Sequence, residues 1–205
     1  AMAARISEWA DDIGFSFEAK APLSAPVTTI AILASNQLLR FVNHGVKGST
    51  SSLQLDGKSW LDLPAFRAPK VAGGRSLQIK GTIDPTSPSG VILAHGGNHA
   101  GYSVYLDEDH LCFAACVNKK RTVIRSPAAI TGSANFEANW SSKGEMFLKV
   151  NGKLVGKEQA GIIRHEPGDS IQIGADQIQP VGNYNPPNRF SGTIENLTFK
   201  YPNGK

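Results

Sequence analysis

The sequence predicts an all-β protein in which two antiparallel sheets pack face to face. Several short segments alternate apolar and polar residues, and this period of two turns one face of a strand to a core and the other to water. Gly, Asn and Pro residues separate the segments, as is typical of turns between strands. Stretches with the helical period are scarce, so helices do not set the fold class.

The clearest alternation lies in residues 76–83. Its Leu and Ile side chains share one face of a strand, and Gln78, Lys80 and Thr82 occupy the other. We therefore predict a strand with one face against the core and one face in water.

Residues 146–155 are predicted to form a β-hairpin. Residues 146–150 alternate in the same way, and Asn151-Gly152 supplies the positive φ angles of a tight turn. Residues 153–155 then form the returning strand.

Two more strands are predicted near the end of the chain, over residues 171–173 and 190–199. In the second one the apolar period slips between Ile194 and Leu197. This slip predicts a β-bulge near Glu195 and Asn196.

A chain of 205 residues fits one all-β domain. Residues 1–3 are typical of a remnant of expression, and we expect residues 1–17 to form an N-terminal extension to one domain over residues 18–205, within a larger protein. Residues 7–12 are compatible with one short helix, and residues 36–42 fit either a helix or a strand.

The net charge is +4, but the basic residues are dispersed. The one modest cluster, residues 119–121 with Arg125, reads as a solvated hairpin, so we predict no nucleic-acid partner. No apolar run has the length of a membrane span.

Cys112 and Cys116 are the two cysteines of the chain. On one strand they would lie on the same face about 13 Å apart, too far for a disulfide. Their spacing with histidines matches no zinc pattern. We predict that both are buried packing residues.

The stretch from Ser52 to Pro64, with the sequence SLQLDGKSWLDLP, resembles the opening strand pair of laminin G-like domains. These domains belong to the concanavalin A-like lectin and glucanase superfamily. Further segments are similar to the family's middle strands and last core strand: residues 90–97, 101–106, 111–114 and 190–197. The resemblance covers about residues 50–202 and implies a jelly-roll sandwich.

A narrower resemblance involves residues 173–176, Pro180-Val181 and Tyr184. They are similar to C-terminal modules of secreted sulfatases and related polysaccharide-degrading enzymes. The sulfatase nucleophile motif itself is missing, since Thr28 stands where the motif needs Arg.

The sequence lacks the residues of glycoside hydrolysis. Retaining glucanases of this superfamily carry two carboxylates in a Glu-x-Asp-x-x-Glu string, and no such string occurs here. Asp107 and Asp109 are better explained as turn formers, and a G-x-S-x-G elbow is absent. We therefore predict that the chain is not an enzyme.

His95, Asn98 and His99 surround a pair of glycines. Such a loop lets the backbone approach a ligand, while imidazole and amide groups form directed hydrogen bonds. The three residues are candidates for a sugar site, and a plain Gly-rich turn between strands is the alternative.

Aromatic side chains are the other candidates, because they stack on the apolar faces of sugars. The possible platforms are Trp60, Tyr102, Tyr105, Trp140 and Tyr184. Trp140 and Tyr184 lie near loops and are the better candidates, with a role at the edge of the core as the alternative. Tyr102 and Tyr105 fall on opposite faces of one strand, so we expect at most one of them in the core.

The resemblance also implies calcium at one rim of the sandwich, because laminin G-like domains often hold this ion with oxygen ligands. Asp176, Asn183 and Asn185 are the matching candidates. The alternative is that they are turn formers in a Pro-rich loop.

The sequence thus predicts a noncatalytic module for carbohydrate or protein recognition, in a secreted, periplasmic or cell-surface protein. The alternatives are a glycan-degrading enzyme of the same fold, and a structural domain that packs against a neighbouring catalytic domain.

Overall fold

A computed structural model describes residues 29–34 and 37–201. In chain order the strands are β1 (Thr29–Ala34), β2 (Gln37–His44), β3 (Lys47–Ser49), β4 (Ser52–Asp56), β5 (Trp60–Leu63), β6 (Leu77–Pro85), β7 (Gly90–Gly96), β8 (Ala100–Asp107), β9 (His110–Val117), β10 (Lys120–Ala129), β11 (Ala134–Trp140), β12 (Glu145–Val150), β13 (Lys153–Gln159), β14 (Ile171–Ile173), β15 (Ala175–Asp176), β16 (Asn188–Arg189) and β17 (Ser191–Lys200). A 3₁₀ helix spans Ala65–Arg67, and the described residues contain no helix fit to cross a membrane. The predicted extension over residues 1–17 and the short helix at residues 7–12 lie outside the described residues.

The strands form two antiparallel layers. The first layer has the order β3-β4-β17-β6-β11-β12-β13. The second has the order β2-β5-β14-β7-β8-β9-β10. Strand β1 pairs antiparallel with β2 and parallel with the end of β17, so it joins the layers along one edge. The predicted all-β sandwich of two sheets is confirmed.

The local predictions in the first layer are also confirmed. In β6 the buried and partly exposed residues alternate, with Leu77, Ile79 and Ile83 in the core. Asn151 and Gly152 join β12 to β13 with φ angles of 49° and 78°. The register of β17 against β6 shifts between Glu195 and Thr198, which is the predicted bulge. Residues 37–42, ambiguous in the sequence, belong to strand β2, because β1 and β5 pair with it on both sides.

Strands β7, β8 and β9 are buried almost from end to end. Such burial requires that both faces of the sheet be covered. Tyr102 faces the main core between the layers, whereas Tyr105, Cys112 and Cys116 belong to a second, smaller apolar cluster. The expectation that at most one of the two tyrosines is a core residue is therefore wrong. Both cysteines are buried and free, as predicted.

Candidate ligand-binding face

Residues 177–187, here called the covering loop, pack on the outer face of the second layer. Val181 is fully buried in the smaller apolar cluster. Tyr184 packs beside it, with its ring centre 4.8 Å from that of Tyr105. These contacts exclude water from the outer faces of β8 and β9. The protein's own chain thus covers the central part of this outer face, over β7, β8 and β9.

The Arg121 side chain in β10 forms three hydrogen bonds with the covering loop. Its Nε donates to the Val181 carbonyl at 2.7 Å, and its Nη2 donates to the Pro180 carbonyl at 3.1 Å. Its Nη1 donates to Asn183 Oδ1 at 3.3 Å. The planar guanidinium suits such a set because its donors point in fixed directions. Arg121 therefore holds the loop, although it lies next to the exposed hairpin turn that the sequence predicts.

A hydrogen bond ties the covering loop to β15. The Tyr184 hydroxyl donates to Asp176 Oδ2 at 2.6 Å, and Asp176 is only 4% exposed. Burial raises the pKa of Asp176, and the hydrogen bond from Tyr184 opposes that rise. Burial also raises the pKa of the Tyr184 hydroxyl well above its usual value, which keeps this group a donor.

The three predicted calcium ligands lie in or beside the covering loop. The Asp176 carboxylate accepts from Tyr184, Asn183 Oδ1 accepts from the Arg121 cation, and Asn185 is exposed. Calcium needs several oxygen ligands, and a guanidinium beside one of them opposes it. Across residues 29–34 and 37–201, no group of three or more His, Cys, Asp or Glu residues is arranged to hold a metal. These residues do not fit calcium in this conformation, and calcium binding stays a prediction.

Three of the predicted ligand-binding residues, His95, Tyr105 and Trp140, are buried. His95 is 1% exposed, its Nδ1 lies 3.2 Å from the Tyr102 hydroxyl, and burial lowers its pKa to about 3. Trp140 lies in the other layer and donates from Nε1 to the Gly161 carbonyl at 3.0 Å. As placed, none of the three rings presents a face to solvent.

Asn98 and His99 are exposed in the turn between β7 and β8. The Asn98 carbonyl accepts from Cys116 Sγ at 3.0 Å, and the His99 carbonyl accepts from the Lys119 N–H at 3.1 Å. The ligand-binding role of the predicted residues stays a prediction. The structure brings together those that pack under or in the covering loop, namely Tyr105, Asp176, Asn183 and Tyr184.

The outer face of the first layer carries a different surface, polar and open to solvent. This open face consists of the outward side chains of β6, β11 and β12: Gln78, Lys80, Thr82, Asn135, Glu137, Asn139, Phe147 and Lys149. The strand register aligns them in three rows: Thr82 with Asn135, Lys80 with Glu137 and Lys149, and Gln78 with Asn139 and Phe147.

Glu137 lies at the centre of the open face. Its carboxylate is 3.2 Å from Lys80 Nζ and 3.7 Å from Lys149 Nζ. Gln78 Nε2 and Asn139 Nδ2 donate to it at 3.2 Å and 3.0 Å. Burial raises the pKa of Glu137, but the Asn139 hydrogen bond and the two lysines outweigh burial, so the pKa is lowered. The carboxylate is therefore ionised at neutral pH.

Further hydrogen bonds fix the amides around this centre. Gln78 Nε2 also donates to Asn139 Oδ1 at 2.9 Å, and Thr82 Oγ1 donates to Asn135 Oδ1 at 2.6 Å. A shallow basin of about 410 Å³ lies over the Lys80, Glu137 and Lys149 row. The half-buried ring of Phe147 has Lys149 Nζ 5.5 Å from its centre. Donors, acceptors and one aromatic ring are thus held in place before any ligand arrives.

The sequence indicates only part of this face. Alternation in β6 predicts that Gln78, Lys80 and Thr82 face water, but it does not single them out as a site. Their partners Glu137 and Asn139 follow Gln78 by 59 and 61 residues, and only the pairing of β6 with β11 brings them together.

No family model and no curated protein sequence matches the chain. Solved structures resemble it at low identity. The heptameric SAP-like pentraxin from Limulus polyphemus has a TM-score of 0.54 and 20% identity, over 72% of this chain and 74% of the pentraxin chain. Domains LG4–5 of the mouse laminin α1 chain have a TM-score of 0.58 and 18% identity, over 77% of this chain and 44% of the laminin chain.

A structure of botulinum neurotoxin type C, whose cell entry is described as dependent on two ganglioside molecules, has a TM-score of 0.56 and 14% identity, over 86% of this chain and 49% of the toxin chain. This chain thus spans about half the length of the laminin and toxin chains. Likeness at such identities shows the fold alone. The chain has the jelly-roll sandwich of the concanavalin A-like class, as predicted, and the similarity to sulfatase modules stays a prediction.

Proposed function

We propose that the chain is a noncatalytic recognition module that binds a saccharide on the open face. The observation that carries this proposal is the contrast between the two outer faces. The covering loop occupies the central part of one face, over β7, β8 and β9, whereas the other face presents fixed polar groups around a basin of about 410 Å³.

The chemistry of the open face suits sugar hydroxyls. A hydroxyl both donates and accepts, and the face offers amide groups, a carboxylate and two ammonium groups at neighbouring positions. Phe147 adds an apolar surface for the C–H side of a sugar ring. Because the side chains already bond to one another, little rotamer entropy is lost when a ligand binds.

Catalysis at this face is disfavoured by the surroundings of Glu137. Two lysines and two amides contact its carboxylate, which keeps the group ionised and unable to act as a general acid. The similar toxin, described as interacting with gangliosides, supports a sugar ligand. A secreted, periplasmic or cell-surface location within a longer protein fits this function and stays part of the proposal.

A glycan array with neutral and acidic saccharides tests the proposal. We expect binding by the wild type, and binding about tenfold weaker for Gln78→Ala, since about 1.4 kcal/mol corresponds to tenfold. Phe147→Ala should weaken binding similarly. Gln54→Ala is the matched control, because Gln54 is exposed on β4 of the same layer. Binding to no saccharide, or equal binding by wild type, Gln78→Ala and Phe147→Ala, would refute the proposal.

The same samples test the rival functions. An enzyme would release new reducing ends from a polysaccharide, and we expect none. A module that recognises only proteins would bind no saccharide on the array. That is the same outcome that refutes a saccharide ligand.

A further inference from the structure

An aromatic stack stands on the outer face of the second layer, at the edge away from the centre of the covering loop. His44 in β2 and Trp60 in β5 are register partners. Their rings stack with centres 4.4 Å apart and planes 14° apart. The Arg189 guanidinium carbon lies 5.2 Å from the centre of the Trp60 ring. His44 is exposed and Trp60 is half-buried, so part of the stack reaches solvent.

A chain of hydrogen bonds connects this stack to a carboxylate. Arg189 Nη2 donates to Gln177 Oε1 at 3.4 Å, and the Gln177 backbone N–H donates to Gln172 Oε1 at 2.8 Å. Gln172 Nε2 then donates to Asp62 Oδ1 at 3.2 Å. Asp62 lies two residues after Trp60 on the same face of β5. Aromatic, amide, guanidinium and carboxylate groups thus share one stretch of surface.

Two donors of this cluster have no partner. Among the described residues, few buried side-chain nitrogen and oxygen atoms lack a hydrogen bond, and both Arg189 Nε and Gln177 Nε2 are among them. A buried donor without an acceptor lowers stability, and such groups call for an explanation. Both atoms are buried in this conformation, so a ligand oxygen that removes the cost must accept from them after the Arg189 and Gln177 side chains turn toward solvent.

We propose that the cluster of His44, Trp60, Asp62, Gln177 and Arg189 is a second ligand site, for a neutral saccharide. Sugar hydroxyls accept from Arg189 and Gln177 and donate to Asp62, which a purely anionic group cannot do. The positive charge of Arg189 and the negative charge of Asp62 offset each other within the cluster, so the cluster favours an uncharged ligand. The apolar side of the sugar ring packs against the exposed part of the stack.

This site is independent of the open face, because the two lie on opposite outer surfaces of the sandwich. A chain that carries both sites binds two separate saccharide segments, one on each outer surface. The second site stands even where the open face binds no sugar.

Isothermal titration calorimetry with neutral hexasaccharides, namely cellohexaose, laminarihexaose, xylohexaose and mannohexaose, tests the inference. We expect binding of at least one of these to weaken at least tenfold in Trp60→Ala and about fivefold or more in Arg189→Lys, which keeps the charge but lacks Nε. Lys58→Ala, a change at an exposed turn residue next to β5, is the control and should bind as the wild type does. Circular dichroism and thermal unfolding show whether each variant is folded, and Arg189→Lys keeps the test valid if Trp60→Ala does not fold.

The open-face variant Phe147→Ala separates the two sites. A sugar whose affinity falls in Trp60→Ala and Arg189→Lys but not in Phe147→Ala belongs to the second site. Affinity that falls only in Phe147→Ala overturns the second site and leaves the open face standing. Failure of all four sugars to bind also overturns it.

Discussion

The Tyr184 hydroxyl and the Asp176 carboxylate form a 2.6 Å hydrogen bond between the covering loop and β15. In the unfolded chain, water solvates this carboxylate, whereas in the fold the carboxyl is nearly inaccessible. The hydroxyl therefore replaces lost hydration, as buried polar groups require. This bond and the contacts of Arg121 keep the covering loop on the outer face of the second layer.

Removing the Tyr184 hydroxyl tests this role. Tyr184→Phe keeps the ring beside Tyr105 but removes one of the hydrogen bonds that the buried Asp176 carboxylate accepts. We expect the free energy of unfolding to fall by about 1–3 kcal/mol, as measured by urea denaturation. Asn185→Ala, a change at the next and exposed residue, is the control and should alter it by less than about 0.5 kcal/mol. Equal stability of Tyr184→Phe and wild type would mean that water takes over the hydrogen bond.

Asp176 gives the protein a specific pH dependence. Burial raises its pKa in the folded state, whereas in the unfolded chain the value is near 3.9. The folded state therefore binds more protons, so this group lowers stability as the pH rises from about 4 through the folded pKa.

Asp176→Asn removes that titration and keeps an oxygen that accepts from Tyr184. We expect the free energy of unfolding of the variant to rise relative to wild type as the pH is raised from about 4 to about 7. Urea denaturation at several pH values measures the difference. Parallel pH profiles of variant and wild type would contradict the raised pKa.

His95 has the opposite effect on the pH dependence of stability: it makes the protein less stable as the pH falls. Burial lowers its pKa to about 3 in the fold, against about 6.5 in the unfolded chain. Its stabilising contribution is complete above about pH 6.5 and is lost as the pH falls toward about 3. We expect His95→Gln to reduce the loss of stability between about pH 6.5 and about pH 4, whatever its effect at neutral pH.

The matched control for His95 is His165→Gln, because His165 is exposed. Its urea denaturation profile should keep the acid-side slope of the wild type. If both variants show that slope unchanged, the acid-side loss arises from the carboxyl groups instead.

The structural features that the sequence predicts correctly are those that depend on residues close together in the chain. The alternation in residues 76–83, the positive φ angles at Asn151-Gly152 and the slip of period before Leu197 each depend on a few neighbouring residues. The order of strands is different, because β6 pairs with β11 and β17, and no local pattern encodes that choice.

The candidate site was harder to predict for a related reason. Parity shows which face of a strand a side chain occupies, but it does not show what covers that face. Polar and aromatic residues such as Asp176 and Tyr184 therefore suggest an exposed site, whereas their hydrogen bond fastens a loop. The open face carries no motif, since Gln78 meets Glu137 and Asn139 only across a strand pair.

The turn after β7 depends on the missing side chain of Gly96. Its φ angle is 82°, a conformation that costs an L-residue about 1–2 kcal/mol. A Cβ there would also collide with the Ala100 carbonyl and lie 2.6 Å from Pro167 Cβ. We expect Gly96→Ala to lower the free energy of unfolding by more than about 2 kcal/mol.

Gly132 is the matched control for Gly96. A Cβ at Gly132 would have no atom within 4 Å, and the φ angle of Gly132 lies outside the left-handed region. Gly132→Ala should therefore raise the free energy of unfolding by about 0.4–1 kcal/mol. Urea denaturation of both variants measures the difference, and equal effects of the two alanines would show that the turn after β7 adapts freely to a side chain.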